Sequence, residues 1–188
     1  MTNWTSLMDS TDRYDVQRDK SLELRYKNTL NFLTHTAKPP LRILDLGTPN
    51  PFSKLLVQNG FEVTNTQGED LDENPEVVSS YSADLVTAFE IFEHLLNPLS
   101  VLKAMPANRL MATVPLSLWF ARAYRSKTDP WDRHFHEFED WQFDWLLNKA
   151  GWKIIRSEKW TSPVYKAGLR PLLRRYISRY YAVEAVRM

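Results

Sequence analysis

The sequence contains no cysteine, which excludes disulfides, thiolate nucleophiles and cysteine-based metal sites. Its charge is almost balanced: 24 basic and 23 acidic side chains give a formal net charge of +1, so no bulk field attracts nucleic acid and we predict no nucleic-acid partner. No apolar run approaches the roughly 20 residues needed to cross a bilayer, and the first ten residues lack the pattern of a secretory signal. We therefore expect a cytoplasmic protein without a membrane span.

What the sequence does contain fits one globular domain. Its 188 residues are 43% hydrophobic and 25% charged, which is enough apolar material for a real core. We predict a single domain over residues 1–188. Within it, residues 1–38 are predicted to form an N-terminal helical arm, and residues 116–139 an insertion on the substrate side.

Strand-like and helix-like segments alternate along the chain. Short apolar runs that end at Gly or Pro predict buried strands, and apolar residues spaced by three or four predict helices. The alternation predicts an α/β, Rossmann-like, doubly wound and mostly parallel sheet with helices on both faces. The last strand is predicted to run antiparallel, because no long helical pattern precedes it. The predicted strands are 41–46, 61–66, 84–89, 109–114, 152–160 and 180–187, and the predicted helices are 21–38, 52–59, 99–105 and 140–150.

The first candidate site motif lies where the first predicted strand ends, at Asp45 and Gly47. In doubly wound sheets, ligands bind outside the carboxyl ends of the strands, next to a helix N-terminus. Asp45 could accept hydrogen bonds there, and Gly47 would let the backbone approach a ligand closely. An ordinary buried strand followed by a glycine turn explains the same residues equally well.

The second candidate motif leaves the third predicted strand. Two carboxylates and a histidine, Glu90, Glu93 and His94, follow that strand within five residues. Stability alone explains such a cluster poorly, since buried charges are costly. The alternative is that Glu90 caps a helix while His94 packs within it.

Taken together, these segments resemble the class I S-adenosylmethionine-dependent methyltransferase family, in particular its small-molecule, type 11/23-like branch. The matching motifs occur in the family's order at residues 44–47, 83–94, 114–115 and 136–152, and they cover about residues 41–155. The resemblance implies S-adenosylmethionine as cofactor, lying across the strand ends. It implies cofactor contacts from Asp45, Gly47 and Thr48 at the methionine end, contacts from Glu90, Ile91 and Phe92 near the ribose or methionine, and His94 close to the transfer site.

The glycine loop departs from the family pattern. Pro49 and Pro51 stand where the family has glycine, which removes two backbone N–H donors. Gln67 stands where the family has an acidic residue for the ribose hydroxyls, and an amide offers only one acceptor oxygen. Asp70 or Asp72 could replace it. The family's third strand and its helix are shortened here, so the resemblance leaves cofactor binding open at this loop.

The densest group of reactive side chains follows the fourth predicted strand, at residues 131–139. In an extended segment His134 and His136 would project to the same side, so either could act as the general base in methyl transfer, with His94 as the next choice. A metal site would need a third ligand such as Asp132, Glu137 or Glu139, and we predict none. The alternative is that this group only packs and hydrogen-bonds at the start of a helix.

Two further features concern the acceptor. Aromatic side chains flank the histidines and could stack on a substrate or simply cover the core: Trp119, Phe120, Tyr124 and Trp131. Residues 165–179 carry five basic and no acidic side chains, which favours an anionic acceptor but is also typical of a solvated face.

The expected function is methyl transfer from S-adenosylmethionine to an oxygen or nitrogen atom of a small molecule. The alternative is a non-catalytic relative that has kept the fold as a binding or scaffold module and lost the cofactor. The sequence leaves the oligomeric state open.

Overall fold

The computed structural model describes residues 16–129, 132–163 and 167–188. Within these ranges, helices and strands alternate through most of the chain, as the sequence predicts. Two short 3-10 helices, Pro75–Ser80 and Phe92–His94, complete the fold. The helices and strands are α1 (Val16–Thr36), β1 (Arg42–Asp45), α2 (Pro51–Gln58), β2 (Glu62–Asn65), β3 (Leu85–Phe89), α3 (Pro98–Ala104), β4 (Arg109–Pro115), α4 (Asp140–Lys149), β5 (Trp152–Thr161), α5 (Leu169–Leu173) and β6 (Ser178–Arg187).

The six strands form one sheet in the order β2-β1-β3-β4-β6-β5. The first four strands are parallel, and β6 runs antiparallel to both β4 and β5. The predicted fold class, including the antiparallel last strand, is confirmed. The position of β6 was not predicted: it lies inside the sheet, and β5 forms the edge.

Helices cover both faces of the sheet because successive residues of its strands point to opposite sides. On β1, Ile43 packs in one cluster with residues of α1 and α2, whereas Leu44 packs in a second cluster with residues of α3 and α4. The central strands are therefore buried on both faces, which is why their sequences are continuous apolar runs. Among the described residues, every helix is too short or too polar to span a bilayer.

Helix α1 lies within the segment 1–38 predicted as a helical arm, but it begins before the periodic pattern of the sequence does. The expected start was Ser21, but the helix extends from Val16 to Thr36. The apolar spacing begins only at Leu22, so the polar residues before it gave no periodic pattern to detect. The end of the helix before Pro39 agrees with the prediction, since proline cannot continue a helix. Residues 1–15 of the predicted arm lie outside the described residues.

A buried carboxylate joins β6 to three other elements. Glu184 is 2% exposed and accepts hydrogen bonds from Thr36 at 2.8 Å, from Arg109 at 2.6 Å and from Arg156 at 3.0 Å. Burial by itself raises the pKa of Glu184, but these hydrogen bonds outweigh it and hold the pKa below its ordinary value. The carboxylate thus fixes α1, β4 and β5 around the last strand.

We expect Glu184→Gln to destabilise the protein by about 3 kcal/mol at pH 7, because two partly buried arginines lose their buried carboxylate partner. The folded-state pKa of Glu184 is depressed, so its stabilisation is present above the ordinary glutamate pKa of about 4.3 and is lost as the pH falls through the folded-state pKa. Urea unfolding between pH 7 and pH 3 measures this. The difference in free energy of unfolding between Glu184→Gln and wild type should become smaller as the pH falls.

The matched control is Glu158→Gln, which removes the exposed partner of Arg156 at 3.1 Å. An exposed pair contributes at most about 1 kcal/mol, so this variant should differ little from wild type at any pH. Equal losses in both variants would contradict the role assigned to Glu184.

Candidate functional site

A cavity of about 990 Å³ opens at the carboxyl ends of β1, β3 and β4. Its walls come from α1, from the loop between β1 and α2, from the ends of β3 and β4, and from two segments around residues 124–134 and 174–180. Parallel strands bring their carboxyl ends to one edge of the sheet, and ligands of doubly wound folds bind at that edge. The cavity is therefore the candidate site.

Seven of the ten residues proposed from the sequence line this cavity. They are Asp45, Gly47, Thr48, Glu90, Ile91, His94 and His134. The other three lie elsewhere: Phe92 is fully buried in the core, Gln67 is exposed and donates to the main-chain carbonyl of Asn65, and His136 contacts the carbonyl of Leu96. Asp72, considered in place of Gln67, instead accepts from the amides of Leu96 and Asn97.

Asp45 holds the first loop of the site together. Its buried carboxylate accepts hydrogen bonds from Thr87 at 2.6 Å, from Ser53 at 2.9 Å and from Asn65 at 3.1 Å. Burial raises the pKa of Asp45, and the three hydrogen bonds oppose that shift without cancelling it. The carboxylate oxygens are therefore occupied by protein donors, and Asp45 acts on a ligand through the loop it fixes.

Gly47 is required by its backbone conformation. Its φ is +98°, and an added Cβ would come within 3.2 Å of the Cδ1 atom of Ile91. Its N–H donates to the Thr66 hydroxyl at 2.8 Å, and its carbonyl accepts from the Asn65 amide at 3.2 Å. A glycine is needed here, but its polar backbone atoms are already paired.

The start of α2 is also satisfied internally. The Asn50 side chain accepts from the amides of Phe52 at 2.8 Å and Ser53 at 3.1 Å, and the Ser53 hydroxyl accepts in return from the Asn50 amide. Pro49 and Pro51 have no N–H. In this conformation the loop thus offers few backbone donors to a ligand, as the prolines predict.

Glu90 projects into the cavity from a strained position at the end of β3. It is the one non-glycine residue with positive φ, +58°, in the described part of the chain. Its carboxylate accepts from the Thr113 hydroxyl at 3.0 Å and lies 3.5 Å from the Arg25 guanidinium of α1. Burial raises the pKa of Glu90, although Arg25 and Thr113 favour its charged form. Such strain is typical of functional positions.

Glu93 carries the most unusual carboxylate of the cavity. It is fully buried, and neither of its oxygens has a hydrogen-bond partner. Burial, together with the negative charge of Glu90, raises its pKa well above the ordinary glutamate value. A buried polar group without a partner costs free energy, so this carboxylate needs a functional explanation.

His94 and His134 face each other next to Glu93. Their ring centroids are 5.0 Å apart in an edge-to-face arrangement, and the Nε2 atom of His94 lies 3.8 Å from Glu93 Oε1. The Nδ1 atom of His94 is 3.0 Å from the carbonyl of Arg133. Burial, followed by the proximity of His134, lowers the pKa of His94, so its neutral form is favoured.

Glu137 contacts the Nδ1 side of the His134 ring. Its Oε1 atom lies 3.4 Å from His134 Nδ1 and accepts from Arg179 at 2.8 Å. Burial alone raises the pKa of Glu137, but the contacts with His134 and Arg179 outweigh it and bring the pKa to about 2. Glu137 is therefore a fixed negative charge that orients one imidazole.

The expectation that His134 and His136 share one pocket differs from the structure. The chain bends at Phe135, where the amides of Phe135 and His136 both donate to the carbonyl of Glu93. His136 stacks on Phe138 instead, outside the cavity. The extended geometry assumed for this segment is absent, so alternation of side chains does not apply.

Of the aromatic residues near the histidines and the basic residues of segment 165–179, some line the cavity and others lie on the surface. Tyr124 lines the cavity, Trp119 is 81% exposed, and Trp131 lies outside the described residues. From the basic segment, Arg174 and Arg179 line the cavity, whereas residues 165–166 lie outside the described part of the chain.

The sequence did not indicate Arg25 or Thr113, because each meets Glu90 across a long separation in the chain that leaves no local pattern.

Comparison with solved structures identifies the fold. Magnesium protoporphyrin IX methyltransferase from Synechocystis PCC 6803, solved with bound SAH, aligns with a TM-score of 0.62 and 15% identity, over 98% of this chain and 92% of that one. An SAM-dependent methyltransferase from Methanosarcina mazei aligns with a TM-score of 0.58 and 12% identity, over 84% and 97%. The chain therefore has the fold of the class I methyltransferases.

A shared fold does not establish a shared reaction, so the function has to be argued from the residues of the site. The [4+2]-cyclase SpnF aligns with a TM-score of 0.58 and 13% identity, over 95% of this chain and 84% of that one. No family model matches the sequence, and no curated protein matches it either.

We expect Asp45→Asn to destabilise the protein by about 2 kcal/mol, because an amide cannot accept from all three buried donors. The matched control is Asp84→Asn, which weakens a half-exposed pair with Arg42 at 2.6 Å and should cost much less, because exposed ion pairs contribute little to stability. Urea unfolding of both variants checks this. Equal stability of the two would contradict the central role of Asp45.

Proposed function

We propose that the protein binds S-adenosylmethionine with the methionine end in the cavity and transfers its methyl group to an oxygen or nitrogen atom of a small molecule. The observation that carries this proposal is the pair formed by Arg25 and Glu90. Their charged groups lie 3.5 Å apart, and both side chains line the cavity. An α-amino acid carries one charge of each sign and matches such a pair.

The two anchors would hold the ends of that amino acid group. Glu90 would accept from the ammonium, and Arg25 would donate to the carboxylate through its guanidinium fork. The Arg25 side chain is 28% exposed and that of Glu90 is 15% exposed, so both are partly withdrawn from water. Partial burial strengthens their interaction with a bound charge.

The rest of the cavity suits a cationic sulfonium. Carboxylates outnumber arginines among its lining residues, which favours a positive ligand. One wall is aromatic: the ring of Phe52 lies 5.2 Å from that of Tyr26 and 5.3 Å from that of Phe89. Aromatic faces attract cations, and they exclude water from the reacting groups.

The cofactor supplies an electrophilic methyl group: the acceptor's lone pair forms the new bond to carbon while the carbon–sulfur electron pair returns to sulfur. The protein's share is chiefly positioning, which can supply about 7–11 kcal/mol. The acceptor's proton would pass to a ring nitrogen of His134 or His94, because both side chains line the cavity. His136, which lies outside the cavity, is the weakest of the three candidates.

An anionic acceptor is supported by Arg174. Its side chain lines the cavity, and its buried Nε atom has no hydrogen-bond partner. Burial lowers the pKa of Arg174 without making it neutral, so a partly buried positive charge lines the cavity. A carboxylate or phosphate on the acceptor would pair with it.

The second candidate is a binding module with this fold and no methyl transfer. The paired backbone of Gly47, the capped start of α2 and the position of Gln67 outside the cavity favour it. These features remove contacts that the resemblance implied for the cofactor. The two functions differ in whether S-adenosylmethionine binds at all.

Isothermal titration calorimetry with S-adenosylmethionine and S-adenosylhomocysteine tests the proposal. We expect micromolar binding to wild type and at least a tenfold loss in Glu90→Gln, which keeps the side-chain shape and the Thr113 contact but removes the charge. Glu62→Gln, an exposed change on the far edge of the sheet, is the control. An absence of binding at millimolar ligand would favour the binding module.

For the proton acceptor we expect His134→Ala to lose about 100-fold or more in turnover while cofactor affinity stays within a factor of two or three. His136→Ala should lose much less. Turnover would be followed as release of S-adenosylhomocysteine with an anionic hydroxy or amino compound found by screening. The reverse order of losses would assign the base to His136.

A further inference from the structure

We propose that Glu93, His94 and His134 form a binding site for one divalent first-row transition-metal ion. Each residue offers one ligand atom, and these atoms all lie within 4.8 Å of one another. His94 Nε2 and Glu93 Oε1 are 3.8 Å apart. Two atoms bound to one such ion are at most about 4.2 Å apart, so small side-chain rotations complete the site.

The first argument is the buried carboxylate of Glu93. It is 0% exposed, and both oxygens lack a hydrogen-bond partner. The two nearby arginines are used by other carboxylates, Arg25 by Glu90 and Arg179 by Glu137. A buried carboxylate is retained when it is paired or binds a metal ion. A cation between Glu93 and the histidines supplies the missing partner.

The second argument is the orientation of the two imidazoles. The Nδ1 atom of His94 meets the carbonyl of Arg133 at 3.0 Å, and that of His134 meets the Glu137 carboxylate at 3.4 Å. Metal-binding histidines usually donate their second ring N–H to a carbonyl or a carboxylate, which fixes the tautomer. For His94 this acceptor is in place, so its Nε2 lone pair is available to a cation, whereas the buried Nδ1 atom of His134 has only the charge contact with Glu137 and no hydrogen-bond partner.

The donor set indicates which ion fits. Imidazole ligands suit zinc, iron, cobalt and nickel, whereas magnesium and calcium prefer sites made of oxygen atoms. Two histidines and one carboxylate leave at least one position of the ion open, as in catalytic zinc sites. All three side chains line the cavity, so the open position would face a ligand there.

The role of the ion rests on the proposed function, although the site itself does not. An acceptor oxygen bound at the open position would lose its proton more readily, because a cation lowers the pKa of a bound hydroxyl. His94 and His134 would then act as ligands, and the released proton would pass to solvent. Turnover that depends on added metal would distinguish this role from that of a general base.

The test uses the full chain, treated with a chelator and titrated with Zn²⁺, Co²⁺ and Mg²⁺ by calorimetry. We expect one equivalent of Zn²⁺ or Co²⁺ to bind at least 100-fold more tightly than Mg²⁺. Glu93→Gln and His134→Ala should each lose more than the roughly 10–100-fold that removal of an outer partner costs. His35→Ala, an exposed histidine at the end of α1, should bind as wild type does.

Thermal unfolding separates a metal ligand from a structural residue. Without metal, Glu93→Gln should be about as stable as wild type, because it replaces one buried polar group without a hydrogen-bond partner by another of similar size. With Zn²⁺, the melting temperature of wild type should rise and that of Glu93→Gln should not. Wild-type Zn²⁺ affinity in both variants, or no binding to wild type, would overturn the site.

The outcome is separable from that of the proposed function. S-adenosylmethionine is titrated into metal-free protein, where the Arg25 and Glu90 anchors do not need the cation. Zinc binding without cofactor binding would leave the metal site standing and reject methyl transfer. Cofactor binding without zinc binding would reject the metal site and leave the proposed methyl transfer standing.

Discussion

The Asp45 carboxylate is the interaction on which the site depends most. It accepts from Ser53 of α2, Asn65 of β2 and Thr87 of β3, and it stands itself at the end of β1. One buried group thus ties four elements at the edge of the sheet where the cavity opens. Hydrogen bonds to a charged acceptor are stronger than neutral ones, which makes this arrangement rigid.

The neighbouring carboxylates are less well satisfied, and function is concentrated there. Glu90 is strained in its backbone and pairs loosely with Arg25, while Glu93 is buried without a hydrogen-bond partner. Stable domains avoid such features because each costs free energy. Their occurrence side by side, in a cavity that also contains two oriented histidines, is what a binding site for cationic groups requires. Asp45 supplies the rigid frame, and Glu90 and Glu93 are the proposed sites of attachment for cationic groups.

The elements of the fold were largely predictable because they depend on local pattern. Buried parallel strands need apolar runs, such as those of β3 and β4, and Gly47 after β1 and Pro115 at the end of β4 mark where two of the strands stop. The start of α1 was misjudged because its first residues are polar. The position of β6 inside the sheet was not predictable, since it depends on pairing with β4 across some 70 residues of chain.

The sequence by itself determined the order of the elements, the edge of the sheet where the cavity opens, and the presence of Glu90, Glu93 and His94 at that edge. These follow from local periodicity and from the polarity of parallel strands. Only the tertiary structure decided that Arg25 faces Glu90, that His134 rather than His136 meets His94, and that Glu93 lacks a hydrogen-bond partner. Such contacts join residues far apart in the chain, and a bend of one residue changes them without altering any local pattern.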